Sequence, residues 1–137
     1  MKTLIWCLFL SFSWNQPTSS PATQICGRWH SVGESGEGIV EIFQDTNGKF
    51  YGKLIRVFDE KSQKMLDAEL SKHQLTELMV IRDFEYLGNQ IWSNGELFSP
   101  KRKQLINGTL TLRSADKLQV EGSLWGFSRS FEWRRLP

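Results

Sequence analysis

The chain has 137 residues, and 17 Lys+Arg against 15 Asp+Glu leave a net charge of +2. That balance is too near neutral to suggest the basic face of a nucleic-acid-binding domain. Apart from the N-terminal stretch, no segment is apolar enough to cross a bilayer.

The first residues read as an export signal. Met1-Lys2-Thr3 is a charged start, Leu4 to Trp14 is an apolar stretch, and Asn15 to Ala22 is a polar exit of small residues. Ser20-x-Ala22 supplies a cleavage site before Thr23, the arrangement expected of a signal peptide. A membrane span needs about 20 apolar residues, and this stretch is roughly half as long. The expectation is therefore an exported protein with a signal peptide at 1–22 and one domain at 23–137. Removal of the signal takes Cys7 with it and leaves Cys26 alone, expected to be buried at the start of the first strand. With no cysteine pair, stability must come from an apolar core.

From Cys26 onward the apolar pattern has a period of two, interrupted at short intervals by Gly and Asn. Strands are predicted near 26–31, 38–45 and 49–58, with Asn47-Gly48 as the hairpin turn in which both residues tolerate positive φ. Further strands are predicted near 78–86, 90–98, 104–113, 118–125 and 129–136. Gly88-Asn89, Ser99 to Arg102, Ser114 to Lys117 and Gly126-Phe127 separate them. Eight strands with tight connections form a meandering all-β domain.

The stretch from Asp59 to Glu77 breaks the pattern. It is rich in Lys, Glu, Gln, Leu and Ala, residues that favour helix, and a helical turn or two is expected around Met65 to His73. Two readings stay open for it, a lid over a site and a passive linker.

Gly27-x-Trp29 lies near the start of the first strand and Trp133-x-Arg135 on the last. They can meet only if the sheet closes, so the fold expected is an eight-stranded antiparallel up-and-down barrel. Alternation turns Trp29, Gly27 and Ser31 to one face, Phe131, Trp133 and Arg135 to one face, and Leu118, Val120, Gly122 and Leu124 inward. Arg135 over the indole of Trp29 would close one end through a cation–π contact of about 0.5–2 kcal/mol. Gly27, Trp29, Trp133 and Arg135 are assigned to that structural closure.

These residues are similar to the ends of lipocalin and fatty-acid-binding barrels. Tyr51 to Ile55, Ile91 to Pro100, Leu118 to Gly122 and Trp133 to Arg135 resemble a bacterial exported family known as domain of unknown function twenty-one forty-seven. The resemblance runs from about Cys26 to Arg135 and implies a lipocalin-like barrel in a periplasmic or secreted protein. Many relatives carry an Asp/Asn-Pro-rich middle segment and a Gly-Lys-x-Tyr stretch after the Pro. Neither occurs here, and several relatives also carry additional cysteines.

An eight-stranded barrel is filled by side chains or holds one small ligand. Phe43, Tyr51, Phe84, Trp92, Phe98 and Trp125 are the aromatic candidates for lining a cavity, and such a lining favours a hydrophobic or amphipathic ligand. Glu41, Arg56, Arg82, Glu96 and Arg113 lie in strands. An inward Arg among them would suit a carboxylate head group. Lys101-Arg102-Lys103 is read as a solvated turn. His30 and His73 lie on different elements and lack metal-ligand spacing, with His30 on the outer face. No nucleophile elbow or phosphate loop occurs, and Asn107-Gly108-Thr109 fits a glycosylation pattern in which the Gly more simply serves a bulge. The expectation is a non-enzymatic binding protein with no cofactor, no metal, no nucleic-acid partner and no integral membrane span. The alternative is a filled barrel serving as an interaction module for a protein or cell-envelope partner.

Overall fold

The computed structural model describes residues 20–34, 36–100, 102–124 and 126–137. Most of the expected signal segment, and Trp125 with it, lies outside the described residues. A 3-10 helix, Pro21–Ile25, precedes β1 Gly27–Gly33, β2 Gly36–Gln44 and β3 Phe50–Val57. Then come α1 Glu60–Lys72, β4 Leu78–Gly88, β5 Ile91–Ser99, β6 Gln104–Ser114, β7 Lys117–Leu124 and β8 Phe127–Arg135. Each strand pairs antiparallel with the next, and β8 returns to β1 to close the barrel. The closing register sets Trp29 opposite Arg135 and His30 opposite Arg134. The eight-stranded up-and-down barrel expected from the two chain ends is the fold observed.

The α1 connection is more regular than the helical turn or two expected from the sequence. It is a 13-residue helix with Asp59 as its N-cap. The β2–β3 turn differs in a smaller way. Gly48 has φ +84°, whereas Asn47 is not among the residues with positive φ. The Gly48 N–H reaches Asp45 O at 2.9 Å and the Asp45 N–H reaches Lys49 O at 2.9 Å. This loop needs one left-handed residue, and glycine supplies it without a steric cost.

Strand parity and direction give the barrel two unlike ends. One end, where β1 begins, is filled by Ile25, Trp29, Phe50, Phe84, Trp92 and Leu110, each no more than 1% exposed. The Trp92 ring meets Tyr86 at 4.8 Å and Phe50 at 6.3 Å between centroids. The 3-10 helix spans this end because its carbonyls receive both indole N–H groups. Trp29 Nε1 donates to Ile25 O at 2.9 Å, and Trp92 Nε1 donates to Ala22 O at 3.2 Å. Buried indoles need such partners, and here the partners are backbone carbonyls of the short helix.

Arg135 completes the plug. Its Cζ lies 4.3 Å from the Trp29 ring centroid, while Nε donates to Ala115 O at 2.7 Å and Nη1 to Cys26 O at 2.8 Å. Nη2 donates to Gln24 O as well. Gly27, at φ +134°, leaves room for this guanidinium, since a Cβ there would stand 2.7 Å from Nη1. Cys26 is half-buried rather than buried, and desolvation pushes its thiol pKa up against the opposing pull of Gln44 and Arg135.

Candidate functional site

The opposite end of the barrel is open. A cavity of about 1040 Å³ begins above the plug and reaches solvent between the β1–β2, β3–α1–β4, β5–β6 and β7–β8 connections. Its depth is aliphatic, with Val40, Leu54, Val80, Leu97 and Val120 on the walls and Trp133 on one side. The Trp133 N–H is already committed to Val32 O at 2.8 Å, so the ring offers the cavity an apolar surface. Trp133, assigned to closure from the sequence, therefore belongs to the cavity wall as well.

α1 forms part of the mouth. Ser62, Met65, Leu66, Glu69, Leu70 and His73 line the cavity, and their spacing of three and four puts them on one helix face. None of the 13 helix residues is buried. The helix is held at its start, where Asp59 accepts from Ser62 N at 2.9 Å and Ser62 Oγ at 2.8 Å. Gln63 Oε1 also accepts from Val57 N at 2.7 Å.

Those two Ser62 bonds hold the Asp59 carboxyl below its usual range. A depressed folded-state pKa contributes stability that is present above the ordinary carboxylate range and is lost as pH falls through the lowered value. Acidification is thus expected to speed amide exchange in α1 before it affects the strands. Asp59→Ala should show the same fast exchange already at neutral pH. Unchanged α1 protection in that variant would refute the cap's role.

Charge gathers at the rim. Glu34, in the β1–β2 turn, accepts from Arg102 Nε at 3.2 Å and meets Arg129 Nη1 at 3.4 Å. One carboxylate thereby joins the β1–β2 turn, the β5–β6 connection and the start of β8 around the mouth. Exposed pairs of this kind contribute about 0–1 kcal/mol each, so they shape the entrance more than they stabilise the barrel. Arg102, read from the sequence as part of a solvated turn, is a cavity-rim residue.

The aromatic candidates separate into three groups. Phe43 and Tyr51 face outward and stack on each other at 6.1 Å, with Lys53 Nζ 5.8 Å from the Phe43 ring. Tyr51 donates to Asp83 Oδ1 at 2.6 Å, and that bond pushes the phenol pKa up. Phe84 and Trp92 point inward but are consumed by the plug below the cavity. Phe98 alone of the described candidates borders the cavity, with the Arg82 guanidinium 5.9 Å from its ring.

The strand charges do not enter the barrel. Glu41 pairs with Arg28 and Lys53, Arg113 bonds Gln119, and Arg56 is exposed. Arg82 sits opposite Glu96 in the register and donates to Met79 O at 3.2 Å. His30 is on the outer face, bonded to Glu37 at 2.8 Å. Among the described residues, no group of three or more His, Cys, Asp or Glu could hold a metal. No described helix is long and apolar enough to cross a membrane.

The cavity depends on elements for which the aromatic content of the sequence gave no signal. Ser31, Glu34, Arg102 and Arg129 were missed as site residues, and the α1 stretch, for which a lid and a passive linker stood open, borders the mouth. A periodicity of apolar residues at 65, 66 and 70 was the available sign for α1.

Comparison with known proteins bears on the fold and the family. The curated proteins searched contain no match. A solved structure, protein HP1028 from the human pathogen Helicobacter pylori, described as belonging to the lipocalin family, matches with a TM-score of 0.62 at 17% identity. The match covers 82% of this chain and 83% of that one, a likeness of fold. Residues 27–135 match the sequence model of a bacterial family, and the chain belongs to that family, described as "Uncharacterized protein conserved in bacteria (DUF2147)".

Proposed function

We propose that the protein is an exported, periplasmic or secreted carrier that holds one small hydrophobic or amphipathic molecule inside its barrel and performs no chemistry on it. The observation that carries this reading is the apolar cavity of about 1040 Å³, closed below by the Trp29 plug and open above. Its size stands just above the top of the usual ligand-pocket range of about 300–1,000 Å³. An apolar molecule entering it would bury its surface against the aliphatic walls, at about 25 cal/mol for each Å² removed from water. Charged atoms of an amphipathic molecule would stay at the rim beside Glu34, Arg102 and Arg129. Phe98 and Trp133 are the aromatic residues expected to touch the ligand.

A second reading, docking to a protein or cell-envelope partner, is favoured by one observation. Phe127, Met65, Leu75 and Phe58, respectively 79%, 65%, 52% and 47% exposed, all lie at the open end. A partner on that rim would cover an apolar patch. The cavity weighs against a filled barrel, so this reading rests on the rim alone.

Native mass spectrometry of the protein purified from its own host separates the two. Carriage predicts a retained small molecule released on denaturation. A bare chain that co-purifies with a polypeptide would favour docking.

A further inference from the structure

Ser31 is the one buried polar residue among the described residues, at 8% exposure. It stands on the inner face of β1, two residues beyond Trp29 toward the mouth, and it lines the cavity. Its register partner on β2 is Gly38, which brings no side chain to cover it. No described residue hydrogen-bonds the Ser31 hydroxyl. The neighbouring Trp133 indole is engaged with Val32 O and cannot serve as its partner.

The hydroxyl is not sealed in the packed core: among the described residues the buried side-chain polar atom without a partner is Gln90 Oε1, so the Ser31 hydroxyl meets the cavity itself. The group is set into an otherwise aliphatic wall and faces the empty space. Its depth also defines what could meet it. The charged residues of the lining, Glu34, Glu37, Glu69, Arg102, Lys103 and Arg129, lie on the connections and strand ends at the mouth rather than on the strand centres that carry Val40, Val80 and Val120. A carboxylate or ammonium carried down to Ser31 would be desolvated with a single hydroxyl to compensate it. A neutral oxygen would not face that penalty. Since a serine hydroxyl both donates and accepts, an alcohol or a carbonyl would satisfy it equally.

We propose that Ser31 is the polar contact of the cavity and that the ligand is a largely apolar molecule with an uncharged oxygen, hydroxyl or carbonyl, on its buried part. This rests on the binding reading above and narrows it. Ligands of equal length and apolar area are then told apart by one hydrogen bond at mid-depth, while any charged group remains at the mouth.

The test is displacement of the neutral fluorophore 1-N-phenylnaphthylamine from the full chain by an alkane, a secondary alcohol and a methyl ketone of one chain length. The alcohol and ketone should compete about tenfold better than the alkane, the effect of one net hydrogen bond. Ser31→Ala should erase that preference, each competitor being scored against the fluorophore affinity measured on the same variant, while the Tm stays unchanged because no bond within the protein is lost. Ser31→Thr, which keeps the hydroxyl, should retain the preference. A preference that survives Ser31→Ala overturns the assignment, and so does a lowered Tm in that variant, which would reveal a structural bond. Fluorophore binding with no preference in the wild type overturns the Ser31 contact alone. Absence of fluorophore binding to every variant overturns the binding reading and this inference with it.

Discussion

Trp29→Ala is expected to destabilise the protein by about 3–5 kcal/mol, as truncation of a buried aromatic commonly does. Three losses coincide at this position. The indole is fully buried at the centre of the plug, its N–H satisfies Ile25 O, and its face receives the Arg135 guanidinium at 4.3 Å. Without the ring, Arg135 keeps its bonds to Ala115 and Cys26 but stands over a void. The 3-10 helix loses one of the two indoles that anchor it. Thermal unfolding followed by circular dichroism should show a fall in Tm of more than ~10 °C. An unchanged Tm would mean that the plug does not depend on the closure of β1 against β8.

Leu54→Trp should separate binding from stability. Leu54 is half-buried, and it lines the cavity from β3. A larger ring there projects into empty space, so the overpacking cost should stay near the low end of the ~1–3 kcal/mol seen in filled cores. Affinity for 1-N-phenylnaphthylamine should fall by at least about tenfold, a loss of ~1.4 kcal/mol. Equal affinity in the variant, with a folded barrel, would place the binding site outside the cavity.

The architecture was legible in the sequence because it rests on short-range rules. Alternation and glycine punctuation marked the eight strands, and Gly27, Trp29 and Arg135 marked the seam by requiring one another across it. The site was less legible, for two physical reasons. First, aromatic size does not report which end of a barrel a residue occupies, and Phe84 and Trp92 were spent on the plug. Second, alternation loses its phase where apolar residues occur on both faces. In β2, Ile39, Val40, Ile42 and Phe43 are all apolar, yet Val40 and Ile42 are buried while Ile39 and Phe43 are not. Register shifts at Ile39/Val40, between Phe50 and Gly52, and between Trp92 and Gly95 compound this. Asp83 at φ +59° and Asn94 at φ +62° lie at two such irregularities. Tyr51, opposite one of them, turns out to Asp83 rather than in.

Ser31 was placed on the correct face by parity, but nothing in the residue type singled it out. A serine is informative only when its surroundings are known to be apolar and its hydroxyl unanswered. The α1 helix was undercounted because its favourable residues were weighed as isolated turns, whereas Asp59 and Ser62 at cap spacing set up a continuous helix. The Arg102–Glu34–Arg129 group was out of reach for a different reason. Its members are 68 residues apart in one pair, and only closure of the barrel brings their connections to one rim.

An experimental structure of the protein with 1-N-phenylnaphthylamine bound tests the account most directly. Density for the fluorophore is expected within the barrel, above Trp29 and against Leu54, Val120 and Trp133, with α1 beside the entrance. Density confined to the outer face near Phe43 and Tyr51, or an interior collapsed onto the plug, would contradict it.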